Sequence, residues 1–564
     1  MTKFSKLLIG TLVISSSTFA QKDEVAKSWH MMDKETSGYY GVSADKAYDF
    51  IKSKNLKSKT VIVAVIDSGV DTLQEDLKAI LWTNPKEIPG NGIDDDHNGY
   101  IDDVHGWNFI GGKDGRNVKE DSYEAARVYH TLKAKWADKE VNEAKLSPAD
   151  KAEYAMYKKA QGKVVGDDSG SGGVDLLILK RIQTNLAKSD SILKIAMGKP
   201  IFTGKELETY IGKTDEEKKS KTTLLGLMKG NDALDQTNKE FLDGLTEYIG
   251  GEERKTEAKN NPPKAYRKEI VGDDETNIND RYYGNNDIMA STPMHGTHCS
   301  GIIGAMRNNG KGMDGIADNV RIMMIRAVPD GDEHDKDIAN AIRYAVDNGA
   351  QVISMSFGKD FSPQKQWVDD AFRYAESKNV LLVHAAGNDS KDVDTADNFP
   401  NPVFIDGKGR ASNVITVGAS AGGDIKKGGL TASFSNYGKK EVDVFSPGQQ
   451  IYSTLPGGNV YGNLSGTSMA CPLVAGIAAL TLEYFPTLSA KQLKYVIEKS
   501  VRMPDIKVKK PGTDDMVNLS DISKSGGIVN AYEALKLAST LKGEKKEVVK
   551  ETLPKPKLVK NKKG

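Results

Sequence analysis

The sequence predicts an α/β protein built on a doubly wound, mostly parallel sheet flanked by helices, with a long helical insertion over residues 112–280. Three observations carry this reading: recurrent apolar β-branched runs, helical patterns between them, and one long Lys- and Glu-rich interruption. The first run, TVIVAVI over 60–66, lacks polar alternation and so suits a parallel strand buried on both faces. Similar runs follow at 320–327, 350–356 (AQVISMS), 380–386 (VLLVHAA) and 414–418. Helical patterns at 335–348 and 363–378 precede two of them, and strand alternating with helix implies a doubly wound sheet. In such sheets functional groups gather at the carboxyl ends of strands.

The interruption contains helix-favouring stretches at 123–137 and 148–160, broken by a Gly-rich patch at 167–173. That patch lacks the Lys-Ser/Thr ending of a phosphate-binding loop and reads as a linker. Charged helices of this kind are solvated faces or a regulatory, substrate-docking device. The remaining divisions are a secretory signal over 1–20, body segments over 21–111 and 281–540, and a disordered Lys-rich tail over 541–564. The signal reading rests on Lys3 and Lys6, an apolar stretch from Leu7 to Ile14, and small residues ending at Ala20. It implies export to the periplasm or the exterior. The apolar stretch is shorter than the roughly 20 residues needed to span a bilayer, so no transmembrane segment is expected. The tail is either a solvated end or an aid to surface attachment.

Lys plus Arg and Asp plus Glu number 78 each, so no global field favours nucleic acid or an anionic membrane. The two cysteines, Cys299 and Cys471, are too few for a disulfide framework, and two buried free thiols are expected.

Three segments hold residues of the types that nucleophilic hydrolysis needs: a hydroxyl, an imidazole that takes and returns its proton, and a carboxylate that orients the imidazole. Asp67 ends the first strand within DSGVD; alone, it could equally cap the following turn. His295 opens HGTHCSGIIGA, where His298 could instead join it as a metal pair, although the helical zinc signature has histidines four apart with Glu between. Ser468 sits in GTSMACPLVAG, heading a helix with Pro472 tolerated in its first turn; an N-cap serine is the simpler alternative.

Together, DSGVD, HGTH and GTSMA in this chain order resemble the signature set of subtilisin-like (subtilase) peptidases. The resemblance implies a subtilisin-like fold and a serine endopeptidase of broad specificity acting on peptide or protein substrates, with Asp67 orienting, His295 as base and Ser468 attacking. It further implies that Asn388, in HAAGN, donates to the oxyanion with the Ser468 backbone N–H, a turn-forming asparagine being the alternative. Ser356, Phe357 and Gly358, in SMSFG, would meet the peptide by backbone hydrogen bonds. A degenerate subtilase serving as a binding scaffold, or a metallohydrolase on His295 and His298, are the rival readings. Cys299, close to His295, implies sensitivity to mercurials.

Between Asp67 and the insertion, NGIDDDHNGYIDDVHGWNF places Asp94, Asp96, Asn98 and Asp102 around Gly99, resembling the first half of a calcium loop. His105 stands where a bidentate Glu would close an EF-hand. Structural calcium is expected here, against a solvated acidic turn, and no organic cofactor. Two departures from the family pattern stand out. No folding pro-segment fits between Ala20 and the first matching residues near Ser37, and Asp67 and His295 lie 295 − 67 = 228 residues apart.

Overall fold

A computed structural model describes residues 25–137, 139–166, 176–231, 233–234, 236–290, 293–423, 425 and 428–545. The signal-like stretch, the Gly-rich patch and the Lys-rich end beyond 545 lie outside the described residues.

Seven parallel strands form the central sheet: β1 (Val61–Asp67), β2 (Gly106–Asn108), β3 (Val320–Arg326), β4 (Val352–Met355), β5 (Leu381–Ala385), β6 (Val414–Ser420) and β7 (Val444–Pro447). Their order across the sheet is β2-β3-β1-β4-β5-β6-β7, so β1 lies between β3 and β4 and its register sets Asp67 opposite Arg326. An antiparallel hairpin, β8 (Ile451–Leu455) and β9 (Val460–Leu464), follows β7. The five long runs in the sequence correspond to β1 and β3 to β6.

The helices used below are, in chain order, α1 (Glu124–Trp136), α2 (Pro148–Val164), α3 (Leu176–Met197), α4 (Asp215–Gly230), α5 (Asn238–Glu257), α6 (Met294–Gly304), α7 (Asp335–Asp347), α8 (Lys365–Ser377) and α9 (Thr467–Tyr484). Successive side chains of β1 point to opposite faces. Val63 and Val65 pack with Ile302 and Ile303 of α6 and Leu473 and Ile477 of α9. Ala64 and Ile66 pack on the other face with Ile338 and Ile342 of α7 and Phe372 of α8. Both faces of the sheet are thus covered, which is why its strands carry no polar alternation.

Helix α9 is long and apolar enough to cross a membrane, but 94% of it is buried inside the protein. It is a core helix. Pro472 falls in its second turn, not the first, at a cost in one helical hydrogen bond: the missing N–H would have met the Ser468 carbonyl. That carbonyl accepts instead from Ser356 Oγ at 3.0 Å and from the Cys299 thiol at 3.4 Å.

The stretch between β2 and α6 is largely helical. Leu179, Leu186 and Leu193 of α3, seven residues apart, share a small core with Leu224 and Met228 of α4 and Phe241 and Leu245 of α5. Helices α1 and α2 form a second cluster that includes Phe361 from the segment after β4.

Candidate active site

Asp67 ends β1 with 2% of its side chain exposed. The Ser68 N–H donates to its Oδ1 at 2.7 Å, and His295 Nδ1 lies 2.8 Å and 2.9 Å from its two oxygens. The backbones of α6 and the β1 turn must approach closely for this: a Cβ on Gly296 would stand 2.2 Å from the Gly69 carbonyl oxygen. His295 Nε2 has no hydrogen-bond partner among the described residues, and the ring is partly exposed.

Arg326 went unremarked in the sequence. It is fully buried, and its guanidinium donates to the carbonyls of Ser68 (3.0 Å) and Val118 (2.6 Å) and to Asn108 Oδ1 (3.2 Å). It thereby fixes the turn beside Asp67. Its only early signal was a charged residue inside an apolar run.

Ser468 is the second residue of α9. Its hydroxyl donates to the Ser356 carbonyl at 3.2 Å, and no hydrogen bond joins it to His295 among the described residues. The two sides of the site meet through Cys299, whose Sγ is 3.9 Å from His295 Nδ1 and 3.4 Å from the Ser468 carbonyl. Burial, then the Asp67 charge, pushes this thiol well above its ordinary pKa. Both cysteines are free and buried.

Asn388 follows β5. Its Oδ1 accepts from the Thr467 N–H at 2.8 Å and the Thr467 hydroxyl at 3.0 Å, which fixes the amide so that Nδ2 is the unspent donor. A Cβ on Gly466 would lie 3.5 Å from both that Nδ2 and the Ser468 backbone nitrogen. Two N–H donors therefore border one small space. Beyond β4, Ser356 is buried, Phe357 half-buried and Gly358 exposed; the Phe357 carbonyl accepts from His384 Nε2 at 2.9 Å. The Gly358 N–H and carbonyl form no hydrogen bond among the described residues, leaving an extended edge open.

His298 turns away from His295 to the hairpin, with Nε2 at 3.2 Å from the Gly462 carbonyl, and burial lowers its pKa to about 3. The two histidines do not converge on one point.

The acidic loop divides its expected ligands. Carboxylate oxygens of Asp94, Asp96 and the unforeseen Glu87 lie within 4.8 Å of one another. Asp102 faces backbone amides instead, accepting from Gly90 (2.8 Å), Asn91 (3.3 Å) and Gly92 (2.8 Å). Asn98 donates its side-chain amide to Asp103 at 3.1 Å, and its Oδ1 accepts from the Tyr100 N–H. Glu87 is buried and its Oε2 has no partner, so the group fits a hard, oxygen-bound cation: three negative charges converge and one buried oxygen is unspent. Glu87 precedes the acidic run by seven residues, outside any fixed loop spacing.

A model of the subtilase family matches residues 58–521. Thermitase of Thermoactinomyces vulgaris is 37% identical over 250 residues, covering 43% of this chain and 77% of thermitase. Subtilisin DY of Bacillus licheniformis is 38% identical over 203 residues, 36% of this chain and 67% of that protein. A thermophilic serine proteinase of Bacillus sp. (strain AK1) is 43% identical over 187 residues, 33% of this chain and 42% of that protein. The chain thus spans less than half the length of this last relative.

Proposed function

The chain belongs to the subtilase family, serine-type endopeptidases on a subtilisin-like fold, and we propose that it hydrolyses protein substrates with Asp67, His295 and Ser468 as its triad. The observation that carries the reading is the buried Asp67 carboxylate holding His295 Nδ1 at 2.8 Å. With Nδ1 so engaged, Nε2 is the nitrogen that exchanges a proton.

For the reaction the Ser468 hydroxyl leaves the Ser356 carbonyl and turns to the imidazole. Oγ attacks the scissile carbonyl carbon while its proton passes to His295 Nε2. The resulting oxyanion lies between Asn388 Nδ2 and the Ser468 N–H. His295 then returns the proton to the departing amine as the C–N bond breaks, leaving an acyl-enzyme. Water, deprotonated by the same imidazole, releases the acid and restores the hydroxyl. The edge formed by Ser356, Phe357 and Gly358, open at the Gly358 N–H and carbonyl, takes the peptide by its backbone, which gives affinity with broad side-chain tolerance.

In this reading the protein is exported, on the strength of its first twenty residues, and calcium rests on Glu87, Asp94 and Asp96. When bound, calcium supplies charge compensation to the loop and takes no part in bond cleavage.

Ser468→Ala abolishes both hydrolysis of a denatured protein and labelling by a fluorophosphonate; wild-type rates in this variant would end the assignment. A scaffold without activity is disfavoured by the unspent Nε2 and by the paired donors around Gly466.

A further inference from the structure

The insertion does not merely sit on the surface of the body: its first two helices grip the segment that continues from Ser356, Phe357 and Gly358. Lys359, next in the chain, runs its side chain into a buried ion cluster. Its Nζ lies 2.7 Å from Glu124 Oε2 on α1, 2.9 Å from Asp335 Oδ1 at the start of α7, and 2.7 Å from the Glu333 carbonyl. Arg127, one turn along α1, pairs with the same Glu124 oxygen at 2.7 Å. Burial raises the Glu124 pKa, but Arg127 and Lys359 outweigh it and hold the carboxyl well below its usual range.

Residue 360 is held from three directions. Its carbonyl accepts from Lys159 of α2 at 2.7 Å, and its carboxylate meets Lys163 of α2 at 2.6 Å and Lys391 at 2.9 Å. Phe361 is then buried among Val128, Tyr129, Tyr157 and Ala160 of the same two helices. The opposite wall is tied in as well. Lys359 and Phe399 exchange backbone hydrogen bonds of 2.9 Å each, and Lys159 Nζ also reaches Asp397 Oδ2 at 2.7 Å. One ammonium group therefore bridges the chain leaving β4 and the chain that follows β5 and Asn388.

We propose that the α1–α2 hairpin is a built-in brace for the peptide-binding edge, with Lys159 and Glu124 as positioning residues that set the spacing between its two walls. The inference rests on the subtilase reading above. It follows from geometry: a backbone-reading edge binds a peptide only if its N–H and carbonyl groups stay in register with the incoming strand, and Gly358 has no side chain of its own to fix it. Neither lysine nor glutamate touches the reacting atoms, so their loss bears on extended substrates and leaves acyl transfer from a compact ester intact.

The test compares an eight-residue peptide amide with p-nitrophenyl acetate in the full-length enzyme. Lys159→Met keeps an unbranched apolar side chain and removes the ammonium, which makes the tie and also lies 4.4 Å from the centroid of the Phe361 ring; Glu124→Gln removes the charge beneath Lys359. The expected result is a fall of about tenfold in the ratio of kcat/KM for the peptide to that for the ester, carried mainly by KM, in either variant. Restoring the carboxylate as Glu124→Asp recovers part of the ratio. Fluorophosphonate labelling of each preparation separates loss of the chemistry itself from loss of the brace. If Glu124→Gln does not fold, Lys159→Met decides alone, because its ammonium is partly exposed and exposed ion pairs contribute little to stability. A wild-type ratio in Lys159→Met, with unchanged KM for the peptide, overturns the proposal.

Discussion

Cys299 is the residue at which the two sides of the site share one atom. Its sulfur, an Asp67 oxygen and a His295 ring nitrogen lie within 4.8 Å of one another. Burial keeps it a thiol, so it should react slowly with alkylating agents, which need the thiolate. Mercury behaves differently, because a soft cation is drawn to sulfur and finds nitrogen and oxygen donors beside it. An adduct there displaces the imidazole from its carboxylate. Mercurial treatment is therefore expected to remove nearly all activity, whereas Cys299→Ser keeps activity within about threefold of wild type and becomes insensitive. Mass spectrometry of the modified enzyme checks this; full activity with Cys299 confirmed as modified would refute it. Cys471 serves as the internal comparison, since its sulfur faces the Val383 and Met355 carbonyls rather than the imidazole.

Helix α9 joins that chemistry to the base of the molecule. Ser468 stands in its first turn and Glu483 in its last, buried, with Oε1 accepting from the Asn319 N–H at 3.1 Å and Oε2 without a partner. Burial first, then Asp318, raises the Glu483 pKa from 4.5 to about 10. The folded protein thus holds a proton that the unfolded chain releases. Its contribution to stability is complete below the unfolded pKa of 4.5 and is lost progressively as pH rises through the folded value, by about 1.4 kcal/mol per pH unit. Near pH 7 that amounts to about 3 kcal/mol. Glu483→Gln is neutral throughout, so its melting midpoint is expected to gain on wild type steadily between about pH 5 and about pH 8. A difference that stays constant over that range would count against the assignment. Elements also differ in how far they were legible. Strands β1 and β3 to β6 announced themselves because both of their faces are buried. Strands β2 and β7 did not, since GWN and VFSP owe their state to neighbours far away in sequence. The rotamer of Ser468 was equally hidden, for it depends on a carbonyl over a hundred residues away.

At the scale of the whole molecule, the charged insertion read as solvated helices, and its inner leucines at seven-residue spacing are what give it a core of its own. Its grip on Lys359 was illegible because Glu124 and Lys359 look like any surface charges until the fold buries them. The acidic loop poses the same problem in reverse: Asp102 looks like a ligand and caps a turn, while Glu87 looks incidental and points into the cluster. This loop anchors one side of the molecule. Tyr100 packs against Trp107, Phe109 and Tyr344, and Asp103 accepts from the Tyr344 hydroxyl at 2.6 Å. Without a cation, the carboxylates of Glu87, Asp94 and Asp96 repel one another within this loop. A cation that binds only the folded form stabilises it in proportion to the logarithm of its concentration, by about 1.4 kcal/mol for each tenfold increase above Kd. Chelation is accordingly expected to lower the melting midpoint by several degrees and to reduce activity only as folded protein is lost. Added calcium raises the midpoint again, in a manner that Glu87→Gln weakens. Titration of the midpoint against free calcium in wild type and variant measures both effects together; a midpoint indifferent to chelator and to calcium would remove the cation from this loop.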